Sequence, residues 1–177
     1  MMIIRIIDSF YRLFLEKFKP SCLIKYYRRK GIKIGENCYI GPLYYTDEAY
    51  LIEIGNHVAI AGGGVFITHD ASLKFFNEDF QNEELFGMIK IGNNVNIGMH
   101  CIFLPNTTVG NNCIIGAGSV VRGKFPDNSV ILGNPAKVVT SMSIQKLIFS
   151  QSTNRIKTYK MTDQQKAPIV KKHFGIE

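Results

Sequence analysis

Four histidines, His57, His69, His100 and His173, are the side chains of this sequence best suited to take up a proton near neutral pH. Their settings differ. His69 stands in "FITHDAS", where an apolar segment ends and a polar, aromatic stretch begins. His57 and His100 fall in short turns, and His173 lies near the C-terminus. A histidine that acts as a base is commonly held in one tautomer by a carboxylate or a carbonyl. Asp70 adjoins His69, but neighbouring residues of a strand point to opposite faces. Asp47 and Glu48, in "YYTDEAY", could reach it from the preceding part of the chain. A second group of residues suits anion binding. Gly116-Ala117-Gly118-Ser119 leaves a backbone edge bare of side chains, and Arg122, Lys124 and Lys137 follow with positive charge. Taken alone, that tetrapeptide reads equally as one more turn and those cations as solvated surface. Cys22, Cys38, Cys101 and Cys113 form no CxxC pair and show no metal-ligand spacing, so they read as reduced packing residues in a cytoplasmic protein and no metal is expected.

The elements that position these residues are set by an unusual period. Between Ile91 and Val121 a large apolar residue returns at every sixth place: Ile91, Ile97, Phe103, Val109, Ile115 and Val121. A helix repeats near 3.6 and a strand at 2.0, so neither accounts for it. A hexapeptide period is the mark of a parallel β-helix, in which three short sides close one coil and coils stack at the ~4.8 Å strand spacing. The first residue of each hexad points inward, and so does the fifth: Val95, Cys101, Thr107, Cys113 and Ser119. Gly and Asn pairs such as Gly92-Asn93-Asn94 supply the positive φ that tight corners require.

The repeat begins at Ile34, widens at "TDEAYLIE", and is broken by residues 72–88, read here as an excursion loop. That gives three parts: 1–30, an amphipathic helix and basic linker; 31–140, the β-helix with loop 72–88; and 141–177, a C-terminal helix followed by a loosely ordered polar tail. Ile3, Ile6, Ile7, Phe10, Phe14 and Phe18 share one helical face, ended by Pro20. That face either covers the end of the column or lies on an anionic membrane surface. Arg5, Asp8 and Arg12 interrupt the apolar run of this segment, so it does not read as a signal peptide, and no run approaches the ~20 apolar residues of a membrane span. The 177 residues carry a net charge of +7, but basic residues gather at the ends and no nucleic-acid motif accompanies them.

The hexads, the excursion loop, "IGAGSVV" and "GNPAKVV" together resemble the hexapeptide-repeat acyltransferases, and among them the sugar O-acetyltransferases such as galactoside and maltose acetyltransferases and the capsule and O-antigen enzymes. The resemblance spans about residues 34–140. It implies an all-β fold, a left-handed parallel β-helix, and a homotrimer with sites between subunits. It also implies acetyl-CoA as co-substrate, a carbohydrate acceptor and a role in surface polysaccharide synthesis. By it His69 is the base, Ala117 contacts the cofactor, Met99 lies near the thioester, and Arg122 and Lys137 face the CoA phosphates. Asp47 and Glu48 fall where relatives bind substrate hydroxyls. Two departures concern the acceptor: a substrate-binding Asn has no match near "IGPLYY", and Asn96 replaces a common Trp. A sugar amine, serine or an antibiotic hydroxyl are alternative acceptors. A non-catalytic or metal-binding β-helix is the alternative of another class, though His57, His69 and His100 lack paired spacing.

Overall fold

The six-residue period becomes three parallel sheets wound around one apolar column. In the computed structural model of the chain, residues 10–15, 17, 22–76, 80 and 82–176 are described. Sheet I holds Lys33–Ile34, Ile52–Ile54, Ile89–Ile91, Thr107–Val109 and Lys124–Phe125 in spatial order. Sheet II holds Tyr39–Ile40, Ala59–Ile60, Asn96–Ile97, Ile114–Ile115 and Ser129–Gly133, with Ala136–Ser141 added antiparallel at its edge. Sheet III holds Leu43–Tyr45, Gly64–Phe66, Ile102–Phe103 and Val120–Val121. Pairing is strictly in register: Ile40, Ile60, Ile97, Ile115 and Ile131 stack down sheet II. Every first and fifth hexad residue between Ile91 and Val121 is buried. Each fully buried Ile or Phe contributes about 1.5–3 kcal/mol of transfer free energy. Phe66 and Phe103 stack with ring centroids 4.6 Å apart. The polar fifth positions are satisfied by backbone: the Thr107 hydroxyl reaches the Val121 carbonyl at 3.0 Å, and the Ser119 hydroxyl donates to the Gly116 carbonyl at 2.6 Å.

The corner between sheets I and II is an asparagine ladder. The Oδ1 atoms of Asn56, Asn93, Asn111 and Asp127 each accept, at 2.8 Å, the backbone N–H of the coil before. Beside them Asn37, His57, Asn94, Asn112 and Asn128 all take positive φ, which Asn tolerates better than most residues. His57 therefore occupies a corner place, exposed to solvent, and His100 does the same (φ 56°) at another corner.

The column is closed at its start by helix α1 (Leu23–Arg29), whose Leu23, Tyr26 and Tyr27 are buried. The Tyr27 hydroxyl, wholly inside, accepts the Leu43 N–H at 2.8 Å, as a buried phenol must to offset its desolvation. Arg28 straps α1 to the first coil through the Ile34 and Gly35 carbonyls, at 3.0 and 2.7 Å. Residues 10–15 and 17 are helical. Leu15 joins the core and the Arg12 guanidinium donates to the Leu43 carbonyl at 2.8 Å, whereas Phe10 and Phe14 of the expected apolar face are exposed. Ile3, Ile6, Ile7 and Phe18 lie outside the described residues. Among the described residues no helix is long and apolar enough to cross a membrane.

The chain divides into two compact units, Met1–Ser143 and Ile144–Glu177. Helix α2 runs from Met142 to Gln151, and helix α3 from Asp163 to Phe174. The second helix corrects the expectation of a loosely ordered tail. Thr162 and Gln165 form a reciprocal capping box and Gly175 closes the helix at φ 64°, so the T-x-x-Q spacing fixed an N-terminus that composition concealed.

Candidate active site

His69 begins the two-residue strand His69–Asp70, which leaves the column and pairs antiparallel with Leu85–Phe86 on the return. The excursion is thus clamped at its base, with Phe86 opposite His69 and its ring 6.0 Å from the imidazole at 64°. Phe75, Phe76, Phe80 and Phe86, the rings of this excursion, are all exposed on the single chain.

The partner of His69 comes from the coil before. In the widened segment a short 3₁₀ turn, Ala49–Leu51, buries Ala49 and sets Glu48 at its start. Glu48 Oε2 accepts from His69 Nδ1 and from the Thr68 hydroxyl, each at 2.8 Å. The Thr46 and Thr68 hydroxyls are bonded to one another, and the Thr68 N–H donates to Thr46 Oγ1 at 3.0 Å. The proton order follows. A carboxylate only accepts, so Thr68 spends its O–H on Glu48, and Thr46 spends its own on Thr68. For the same reason Nδ1 carries the imidazole proton, which leaves the Nε2 lone pair of neutral His69 for a substrate. Thr68 is fully buried, and the side chains of Glu48 and His69 are 15% and 31% exposed. The bond to Glu48 raises the His69 pKa above its ordinary 6.5, assisted by the charges of Glu48, Glu84 and Asp47 and opposed by burial. The bond to His69 lowers the Glu48 pKa, with Thr68 adding to it.

The remaining candidates fall on two edges, one on either side of sheet III. Asp47 is exposed beside Glu48 on the edge between sheets III and I. Arg122 follows the strand Val120–Val121 onto that same edge, and its charge helps hold the Asp70 carboxyl low, after the larger effect of the Ser72 hydrogen bonds. Met99 and Ala117 occupy the edge between sheets II and III. There the Gly118 N–H donates to the Met99 carbonyl at 2.8 Å, and a Cβ on Gly98 would lie 2.5 Å from the Ala117 amide nitrogen. Lys137 pairs with Leu132 in the terminal hairpin, and Leu132 sits where a side chain on Gly116 would intrude. Met99, Ala117 and Lys137 therefore share one edge, and His69, Glu48, Asp47 and Arg122 the other. Between Met99 and Leu104 the chain crosses sheet III, a span of ~16 Å at ~3.3 Å per residue. Thr46 and Thr68 were not singled out from sequence. Their signal was a Thr after the sheet III strand in two successive coils, "YYT" and "FIT". His173 lies in α3, where Nε2 is 3.3 Å from Asn154 Oδ1. Among the described residues no group of three or more His, Cys, Asp and Glu converges as a metal cage.

A parallel solenoid of six-residue repeats is the architecture of the hexapeptide transferases. The six-repeat bacterial transferase hexapeptide description matches residues 88–123. Protein CapG of Staphylococcus aureus is 42% identical over 134 residues, covering 74% of this chain and 78% of that protein. The galactoside O-acetyltransferase of Escherichia coli K12 is 34% identical over 116 residues, 62% of this chain and 56% of the relative. A hexapeptide-repeat acetyltransferase from Vibrio cholerae superposes with TM-score 0.63 at 20% identity, over 80% of this chain and 92% of that one. Its acetyl-CoA complex gives 0.56 at 28% identity, over 63% and 61%. The chain belongs to the hexapeptide-repeat acyltransferases, and its solenoid is their left-handed parallel β-helix.

Proposed function

We propose that this acetyltransferase moves acetyl from acetyl-CoA to a sugar hydroxyl, in the synthesis of a surface polysaccharide in the cytoplasm. The observation that carries it is the Thr46–Thr68–Glu48–His69 chain, which fixes the tautomer and leaves Nε2 as a base. The acceptor hydroxyl gives its proton to Nε2 as its oxygen bonds to the thioester carbonyl carbon. The carbon–sulfur bond then breaks, and the proton passes from Nε2 to the departing CoA sulfur. Glu48 stabilises the imidazolium formed between these steps, and Asp47, exposed beside it, takes an acceptor hydroxyl. On the other edge, Ala117 and Gly118 offer bare backbone to the pantetheine arm, Met99 lies near the thioester, and Lys137 meets CoA phosphate, as does Arg122 from the catalytic edge.

Since one chain sets these edges ~16 Å apart, the reading includes a homotrimer in which one copy's cofactor edge meets its neighbour's catalytic edge. The outward residues of sheet III support it: Tyr44, Val65, Ile102 and Val120 form an apolar strip between the edges. The galactoside O-acetyltransferase relative supports the sugar hydroxyl. Free CoA release, followed across a panel of sugars, amino sugars and serine, tests the reading. Transfer to a sugar hydroxyl supports it; transfer confined to amines or serine replaces the acceptor, and no transfer to any overturns it.

A further inference from the structure

The net charge of the chain is not spread over it. Residues 10–33 hold eight Lys and Arg against one Glu, a net of +7, equal to that of all 177 residues. Residues 34–177 contain equal numbers of basic and acidic side chains. In the structure that positive segment is also where apolar side chains face water. Phe10, Leu13 and Phe14, spaced to share one helical face, are 69%, 52% and 47% exposed. Next to them a cleft of about 440 Å³ is lined by Tyr11, Cys22, Lys25, Tyr26, Arg28 and Arg29.

In and beside the cleft, cations lie against aromatic rings. The Arg29 guanidinium lies 5.9 Å from the Tyr11 ring and the Lys30 ammonium 5.5 Å from the Tyr26 ring. Arg28 is committed to Glu36 and two carbonyls. Among the described residues neither Lys25 nor Arg29 has an ion-pair partner. Apolar side chains on one helical face, uncompensated cations on the helix that follows and, among the described residues, no spanning helix are the pattern of a surface that lies in the headgroup region of a bilayer.

We propose that residues 10–15 and 22–30 form a docking face for an anionic phospholipid membrane. Phe10, Leu13 and Phe14 enter the acyl boundary, and Lys25 and Arg29 meet headgroup phosphates at the cleft mouth. The face also borders the coil that carries Glu48: Arg12 donates to the Leu43 carbonyl and stacks 5.0 Å from the Tyr44 ring. Docking therefore brings that coil close to the lipid surface, where a lipid-carried acceptor would be. If the chain is the trimer described above, cyclic symmetry sets three such faces at one height along its axis, and three weak contacts act together on a flat bilayer.

Full-length protein is sedimented with vesicles of phosphatidylglycerol and phosphatidylcholine, and with vesicles of phosphatidylcholine alone, at about 0.1 M NaCl where the Debye length is ~10 Å. The expected result is binding to the anionic vesicles alone, released at about 1 M NaCl. Phe10→Ser with Phe14→Ser, and separately Lys25→Glu with Arg29→Glu, each weaken binding at least ~10-fold. Their thermal midpoints and solution mass stay those of the wild type, which shows that fold and assembly are kept. No binding to anionic vesicles, equal binding to both compositions, or variants that bind like the wild type overturn the proposal. So does a loss of solution mass in the Phe variant, which would assign the face to contact between copies.

Discussion

Sheet III separates two edges of opposite chemical character. The edge toward sheet I concentrates titratable groups: His69, Glu48, Asp47, Asp70 and Arg122, with the Thr46–Thr68 pair behind them. The edge toward sheet II is built from Gly98, Met99, Ala117 and Gly118, largely bare backbone with the exposed His100 its one histidine and Lys137 above. The same repeat makes both, so the contrast comes from what the chain does at each corner. At the first it widens and then leaves on an excursion, which frees side chains from the stacking rule. At the second each coil lies so close to the next that a Cβ on Gly98 would meet the Ala117 backbone. One edge can move protons and the other can lie along an extended ligand; acetyl transfer needs both.

The largest expected effect comes from removing the base. His69→Ala should lower kcat by ~10²–10⁴ and leave the solution mass unchanged, with a thermal midpoint lowered no more than the loss of its bond to Glu48 accounts for; near wild-type turnover would remove His69 from the chemistry. The same variant tests whether the two edges meet across copies. Coexpressed with Ala117→Trp, which blocks the cofactor edge, it should restore about a quarter of wild-type activity, because one site in four then pairs two intact edges. A mixture as inactive as its parents would mean that each chain serves itself.

Glu48→Gln should cost ~10² in kcat/KM, since the imidazolium loses its carboxylate. It should also move the acid limb. In the wild type activity falls as pH drops through the His69 pKa, above its ordinary 6.5, and without the carboxylate that limb shifts to lower pH. Stability shows the opposite sign. A raised His69 pKa favours the folded state below the unfolded pKa and is lost as pH rises through the folded one. Glu48→Gln should therefore lower the thermal midpoint more near pH 6 than near pH 9. A variant with an unmoved limb would sever Glu48 from His69.

Ile102→Lys places a charge on the apolar strip between the edges. It should shift the solution mass toward monomer and lower activity ~10-fold or more, because neither edge then finds its counterpart. Unchanged mass would deny the strip its interface role. The smallest effect is expected of Lys137→Glu, a several-fold rise in KM for acetyl-CoA with kcat nearly kept, since a phosphate contact holds ground and transition states alike. A change confined to kcat would move Lys137 out of the phosphate pocket.

Much of the fold was legible because the repeat is local. Six residues suffice to say which side chain points inward, and Ile91 through Val121 occupy the places that their period assigns. The position of His69 at the mouth of the excursion was legible for a related reason: the period fails immediately after it. Helix α3 was misread because the segment after Ser152 is rich in Lys, Gln and Thr, although Thr162 and Gln165 carry the helix's capping box.

Sequence alone thus determined the coil, its register, the corner residues and the place of His69, all of which depend on neighbours within one or two hexads. Tertiary structure decided what depends on stacking different coils. It brought Glu48 and Thr46, more than twenty residues before His69 in the chain, onto the imidazole and its neighbour Thr68, and so chose the tautomer. It also turned Leu15 inward and Phe10 outward on a helix whose pattern favoured Phe10. The physical reason is that a period fixes direction relative to the chain's own axis, whereas a hydrogen bond between coils depends on which residues the coil length sets side by side. The widened segment at Asp47–Ala49 altered that length, and no count within a single hexad contains it.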